Sequence, residues 1–356
     1  MHTRTFLAAA VGLGLVTLSA CSSSPGSEAG SKTVTLVSHD SWAVSKNVLQ
    51  DFEKQSGYKV RVLKDGDAGQ AVNKAILTKD NPQGDVFFGV DNTLLSRALD
   101  NGLFQPYQAK GLDRVGTAYQ LDAGKHRVTP IDYGDICVNY DKAYFSKHKL
   151  TPPTSYADLV QPQYKNLLVT ENASTSSPGL GFLLGSAAEY GDTGWQGYWK
   201  KLQANGVKVV DGWEQAYNEE FSGSAGGRKA GGDRPLVVSY ASSPPAEVIY
   251  ADPKPSTAPT GVATGTCFRQ IEFAGLLSNA GNTKGGKALI DFLVSKEFQE
   301  DMPLNMFVYP VVEGANVPAE FTKYGPAAKD PETMAPDKIA ANRDQWVKTW
   351  TSLVLK

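Results

Sequence analysis

The sequence predicts an α/β protein built mainly on parallel sheet and divided into two lobes. Three observations point there. Apolar runs of strand length alternate with amphipathic stretches of helical period. The length, 356 residues, exceeds the roughly 250 to 300 at which a single core stops growing. The composition, 41% hydrophobic and 20% charged, is that of an ordinary globular chain. A formal net charge of −2 argues against a nucleic-acid partner, whose phosphates call for a basic surface.

Residues 1–20 are a different object from the rest. A short polar start with Arg4 leads into an apolar run from Phe6 to Leu18, and "LSAC" follows at 18–21. This is the outline of a secretory signal peptide, too short for a comfortable membrane span. "LSAC" resembles a bacterial lipobox, so Cys21 is expected to carry a lipid and to begin the mature chain; the alternative is a plain signal peptide with a coincidental cysteine. Residues 21–32, polar and rich in Gly and Ser, read as a flexible tether. The expected location is the cell envelope, facing outward and held to the membrane only through that lipid. Cys137 and Cys267 then enter an oxidising compartment, where they either pair, stay as inert buried thiols, or leave one reactive nucleophile.

Strands are expected, in order, at "TVTLVS" (33–38), "KVRVLK" (59–64), "DVFFGV" (85–90), "NLLVTE" (166–171), "VKVV" (207–210), "PLVVSY" (235–240) and "CFRQIEF" (267–273). Helical periodicity marks 44–56 and 285–299 between them. Trp346 and Trp350, four apart in a terminal helical pattern, read as packing residues, and "GSAGGRKAGGD" (223–233) as a surface loop.

In open α/β sheets ligands sit beyond the carboxyl ends of strands. Those ends read "HDSW" (39–42), "DG" (65–66), "DN" (91–92), "NASTSSPG" (172–179), "DGW" (211–213) and "ASSPP" (241–245), a series of acids, hydroxyls and tryptophans. Taken singly, each also reads as an Asx-turn or a helix cap. The hydroxyl cluster before Pro178 marks a helix N-terminus, whose free NH groups attract an anion or an oxygen-rich group. Gly179, Gly181 and Gly185 miss the dinucleotide spacing, and no acid follows on a later strand, so no nucleotide cofactor is expected. Neither a phosphate-binding loop nor a serine-hydrolase elbow occurs. The four histidines, at 2, 39, 126 and 148, lack metal-ligand spacing, so no metal site is expected.

Taken together, "HDSWA", "KDG", "DVFFGVDNTLL", "PIDYGDICVNYD", "TSSPGLGFLL", "DGWEQAY", "LVVSYASSP" and "FVYPV", running in order from about Val34 to Trp350, resemble the periplasmic thiamine-binding proteins of bacterial ABC importers. The resemblance implies a two-lobed type II periplasmic-binding-protein fold with its ligand cleft at the hinge. One lobe would comprise 33–133 and 270–356, the other 134–269, with crossings at 129–141 and 266–273. Cys137 and Cys267 would lie one on each crossing, in place to pair. It also implies a monomeric receptor, without cofactor or catalysis, that delivers thiamine or its phosphates to a membrane permease. A flat ring system with a cationic thiazolium calls for aromatic faces and carboxylates. Trp42, Trp213, Tyr240 and Tyr309 would supply faces and Asp40, Asp65, Asp91 and Asp132 carboxylates, while Ser176, Ser177 and Gly66 would hold the hydroxyl or phosphate arm. Two positions depart from the family pattern: Phe307 stands nearest to where a tryptophan is expected, and His39 where a phenol is usual.

Two other classes share the scaffold. A thiaminase-like enzyme would use Cys137 as nucleophile beside Asp135. A receptor for iron, a polyamine or a sugar would keep the lobes and change the lining; iron-binding relatives typically carry a late tyrosine pair, whereas Tyr240 is followed by Ala241.

Overall fold

A computed structural model describes residues 31–326 and 328–355. The expected signal peptide, the lipid-bearing Cys21 and most of the tether lie outside the described residues.

Ten strands form one sheet: β1 (Thr33–Ser38), β2 (Lys59–Lys64), β3 (Val86–Asp91), β4 (Phe104–Gln105), β5 (Thr129–Asp141), β6 (Leu168–Glu171), β7 (Lys208–Val210), β8 (Leu236–Tyr240), β9 (Thr260–Leu277) and β10 (Tyr309–Pro310). Their order is β2-β1-β3-β9-β5-β8-β6-β7, with β10 on β5 and β4 on β9. The apolar runs take the inner places: every residue of β3 is buried, while β2, which alternates polar and apolar residues, lies at an edge and is half exposed. Parallel pairing holds in the two wings, β2-β1-β3 and β8-β6-β7.

The centre corrects the expectation of a mainly parallel sheet. There β3–β9, β9–β5 and β5–β8 are all antiparallel. The long strands β5 and β9, 13 and 18 residues, pass through the middle of the sheet and join the wings. Of these two, only residues 267–273 of β9 read as strand from the run pattern, because polar residues such as Asp132 and Asp135 interrupt β5, and here they are buried.

The two long strands pair from Thr129↔Ala274 to Ile136↔Phe268, slip, and resume from Val138↔Ala263 to Asp141↔Thr260. A disulfide joins Cys137 to Cys267 at that slip, with 4.2 Å between Cα atoms. The expected pairing is therefore formed. A bonded, fully buried Cys137 is no thiolate nucleophile, which removes the residue on which the enzyme reading depended.

The helices follow their end signals. Lys46–Ser56 ends at Gly57, whose φ of 73° suits glycine. The hydroxyl cluster opens a 28-residue helix, Ser177–Ala204, with Pro178 in its first turn and a break at Gly191. The pattern expected over 285–299 is two helices, Thr283–Leu293 and Lys296–Met306, because Ser295 caps the second by accepting from the Phe298 amide. In the last helix, Pro336–Val354, Trp346 and Trp350 are buried, and Trp350 lies edge-on to Trp199 at 5.4 Å, the packing role expected of them. Residues 223–233 are not a plain surface loop. They fold into the helix Ala225–Ala230, because Ser224 caps it and the Glu247 carboxylate accepts from the Ala225 amide.

Candidate functional site

The ends of β1, β7 and β8, the middle of β9 and the turn after Met306 converge on a cavity of about 620 Å³, within the usual size of a small-molecule site. Its floor is carboxyl-rich. Glu272 on β9 stands in register with Asp132 on β5, and its Oε1 lies 3.2 Å from His39 Nε2. Behind them Asp91, fully buried, accepts from the Thr93 hydroxyl (2.6 Å), the Thr93 and Leu94 amides, Gln270 Nε2 (2.8 Å) and the Ser177 hydroxyl. Asp67 caps the helix Ala68–Leu77 and accepts from the amides of Ala68 (2.6 Å) and Trp213 (2.8 Å).

Burial decides the protonation of this floor. It pushes the Glu272 carboxyl up to about 8, with the negative neighbours Asp91 and Asp67 adding to the shift. Burial and the facing Glu272 hold Asp132 well above the carboxylate range. Burial also raises Asp67, against the two amide hydrogen bonds that favour its charge. It lowers His39, so the His39–Glu272 contact is a hydrogen bond between groups that favour their neutral forms rather than an ion pair. Burial therefore biases the carboxyls of the floor towards their protonated, uncharged forms.

The walls are aromatic. Trp213 is half-buried, stacks on Tyr217 at 5.0 Å and 14°, and donates through Nε1 to the Ser239 hydroxyl at 2.9 Å. That arrangement occupies one face of the indole. Phe307 adopts φ 57°, an uncommon conformation for a bulky side chain, and its carbonyl accepts from the Ser242 hydroxyl at 2.5 Å. Tyr240 and Tyr250 complete the walls. Contacts bridge the cavity between distant parts of the chain: the Ser41 hydroxyl donates to Glu214 Oε1 at 2.9 Å, and the Gln70 amide to the Thr175 carbonyl at 3.1 Å.

Comparison with known proteins places this geometry. The sequence profile of the bacterial extracellular solute-binding proteins matches residues 81–242. A thiamine-binding periplasmic protein of Salmonella typhimurium is 30% identical over 90% of this chain and 93% of its own length, and one of Escherichia coli has the same identity and coverage. The chain belongs to the periplasmic thiamine-binding protein family. A solved periplasmic thiamin binding protein overlays with a TM-score of 0.76 at 27% identity, covering 90% of this chain and 96% of the other. The fold is thus the two-lobed type II periplasmic-binding-protein fold, and these relatives are named as binding proteins, not as enzymes.

Of the residues that the family resemblance pointed to, His39, Asp40, Trp42, Ser177, Trp213, Tyr240 and Phe307 line the cavity. Trp42 does so from within the core, 4% exposed, stacked on Phe298 at 5.6 Å and edge-on to Phe88 at 4.7 Å. The rest stand elsewhere. Asp65 is tied to Lys74 at 2.5 Å, and Gly66 exchanges hydrogen bonds with Asp40. Asp91, Asp132 and Ser176 are buried behind the lining. Tyr309 stacks on Tyr133 at 5.4 Å and donates to the Gly325 carbonyl. Because each lining set comes from the fold, the sequence reading missed Asp67, Gln270 and Glu272. Asp67 sits two residues beyond the chosen Asp65, and its signal was the N-cap position before an apolar helix. Gln270 and Glu272 alternate with apolar residues on β9, a polar face inside a buried strand.

Proposed function

We propose that this protein captures thiamine, or a phosphate ester of it, outside the cytoplasmic membrane and hands it to the permease of an ABC importer. The observation that carries the proposal is the presence of Trp213 beside the carboxyls of Asp67 and Glu272 in the lining of one cavity, backed by the buried Asp132, within a chain alike over nine-tenths of its length to thiamine-binding relatives. The thiazolium would lie against the free face of Trp213, where ring and cation attract. The aminopyrimidine would meet the carboxyls of the floor, with Gln270 and Ser177 beside them. In this reading residues 33–133 and 270–356 form one lobe and 134–269 the other, and β5 and β9 are the hinge strands. Ligand contacts from both lobes favour the closed form that the permease recognises. Cys21 carries the lipid that holds a monomeric receptor to the membrane. Isothermal titration with thiamine, ferric citrate and spermidine tests the assignment: saturable, one-to-one binding of thiamine alone is expected, and binding of only one of the other two ligands would overturn it.

A further inference from the structure

We propose that the N-terminus of the helix Ala68–Leu77 is a latch: it docks directly on the opposite lobe, draws the two lobes together with or without ligand, and slows ligand release through contacts the ligand does not make. This rests on the two-lobe thiamine reading above and deepens it by naming what holds the closed form.

The first amides of a helix have no partner within it. Here some of those partners come from the other lobe. The carboxyl group of Asp67 serves two helices at once: Oδ1 accepts from the Ala68 amide of its own helix, and Oδ2 from the amide of Trp213, the first residue of the helix Trp213–Gln215 across the cleft. Three residues on, the Gln70 amide donates to the Thr175 carbonyl at 3.1 Å. The surface that receives the helix is stitched from the two loops that follow β6 and β7. The Thr175 hydroxyl donates to the Asp211 carbonyl at 2.7 Å, and the Asn172 amide to the Val210 carbonyl at 2.7 Å.

Two glycines make this approach possible. A Cβ on Gly69 would lie 2.6 Å from the Thr175 carbonyl oxygen, and one on Gly212 would lie 2.9 Å from Asp67 Oδ2. The first is a contact with backbone, which cannot swing aside as the end of a long side chain does. Gly69 stands in the first turn of a helix, where alanine is the better helix former. The close approach of the second lobe accounts for the glycine there. Neither Gly69 nor Thr175 lines the cavity. The latch is also reversible, because the Gln70 and Trp213 amides pass to water when the lobes part, and water replaces most of what they lose.

The test is Gly69→Ala in the full-length protein, with Gly197→Ala as control, an exposed helix position where an added Cβ meets nothing within 4 Å. Gly69→Ala is expected to weaken thiamine binding at least about fivefold in titration calorimetry, the lower end of what overpacking a tight contact costs, and stopped-flow measurement is expected to show the loss in faster dissociation. The ligand-free variant is expected to keep its melting temperature, since its lobes are free to part, and to show a larger radius of gyration in small-angle X-ray scattering. The control keeps the affinity and radius of the wild type. An unchanged affinity and dissociation rate in Gly69→Ala overturn the latch; so does a loss of stability that matches the loss of affinity, which would make Gly69 part of the packing of one lobe. Failure of the wild type to bind thiamine overturns the thiamine reading instead, and the radius of the ligand-free variant then decides the latch by itself, an unchanged radius overturning it.

Discussion

The floor and the walls of the cavity are made differently. The floor rests on Asp91, Asp132 and Glu272, distant in sequence on β3, β5 and β9, buried and held in fixed register by the central antiparallel ladder, with Asp67 joining it from a helix N-cap. The walls come from strand-end turns and short helices, half-exposed, each resting on one or two aromatic neighbours. The carboxyls are thus set by the central ladder, whereas in the proposed reading ring recognition falls to segments outside that ladder. Substitutions in the floor should therefore act on stability as well as binding, and substitutions in the walls on binding alone.

The largest effect is expected at Asp91. Asp91→Ala leaves Gln270, Ser177 and Thr93 without their acceptor, which should cost about 3 kcal/mol of stability. Denaturant midpoints measure this, and an unchanged midpoint would erase the distinction between floor and walls. Next comes Glu272. Glu272→Gln should weaken thiamine binding by roughly ten- to a hundredfold, the scale of losing a buried charge partner. It should also flatten the pH profile. With a folded value of about 8 against an ordinary 4.5, the neutral carboxyl contributes stability that is present below 4.5 and lost as pH rises towards 8, while affinity for the cation rises over the upper part of that range. Melting of the free protein at stepped pH, with and without thiamine, reads both slopes; parallel slopes in wild type and variant would sink the assignment.

Much of the fold was legible because the parallel wings are built from short apolar runs, and runs of that kind announce themselves. Six such runs became the wing strands, each starting within two residues of its expected place, and a seventh, 267–273, is part of the central strand β9. The central ladder was harder to see. Its strands carry Asp132, Asp135, Gln270 and Glu272, residues that break an apolar pattern and are accommodated only because partners from other strands satisfy or neutralise them. The same cause explains the site. His39 and Trp213 were readable at strand ends, and Phe307 only through the family resemblance. Glu272 was not, since nothing local distinguishes it from a residue on an exposed strand face.

Two smaller effects sharpen the contrast on the wall side. Trp213→Ala should weaken thiamine binding by at least about 1 kcal/mol, the scale of a cation over an indole face, with the melting temperature little changed. A matching loss of stability would make Trp213 part of the packing instead. Tyr309→Phe should leave affinity as it was, because that ring stacks on Tyr133 outside the lining; a measurable loss in the same titration would extend the cavity beyond Phe307.

The stacking of Trp213 on Tyr217 has an optical consequence. The chain has six tryptophans, and Trp42, Trp195, Trp199, Trp346 and Trp350 are all buried. Their emission belongs to the blue, apolar side of the spectrum, while the half-buried Trp213 supplies the red edge. A cationic ring settling on its open face would quench that edge, and of the buried indoles only Trp42 also lies at the lining. Unlabelled protein in a stopped-flow cell would then report the arrival of its ligand through the red edge of its emission.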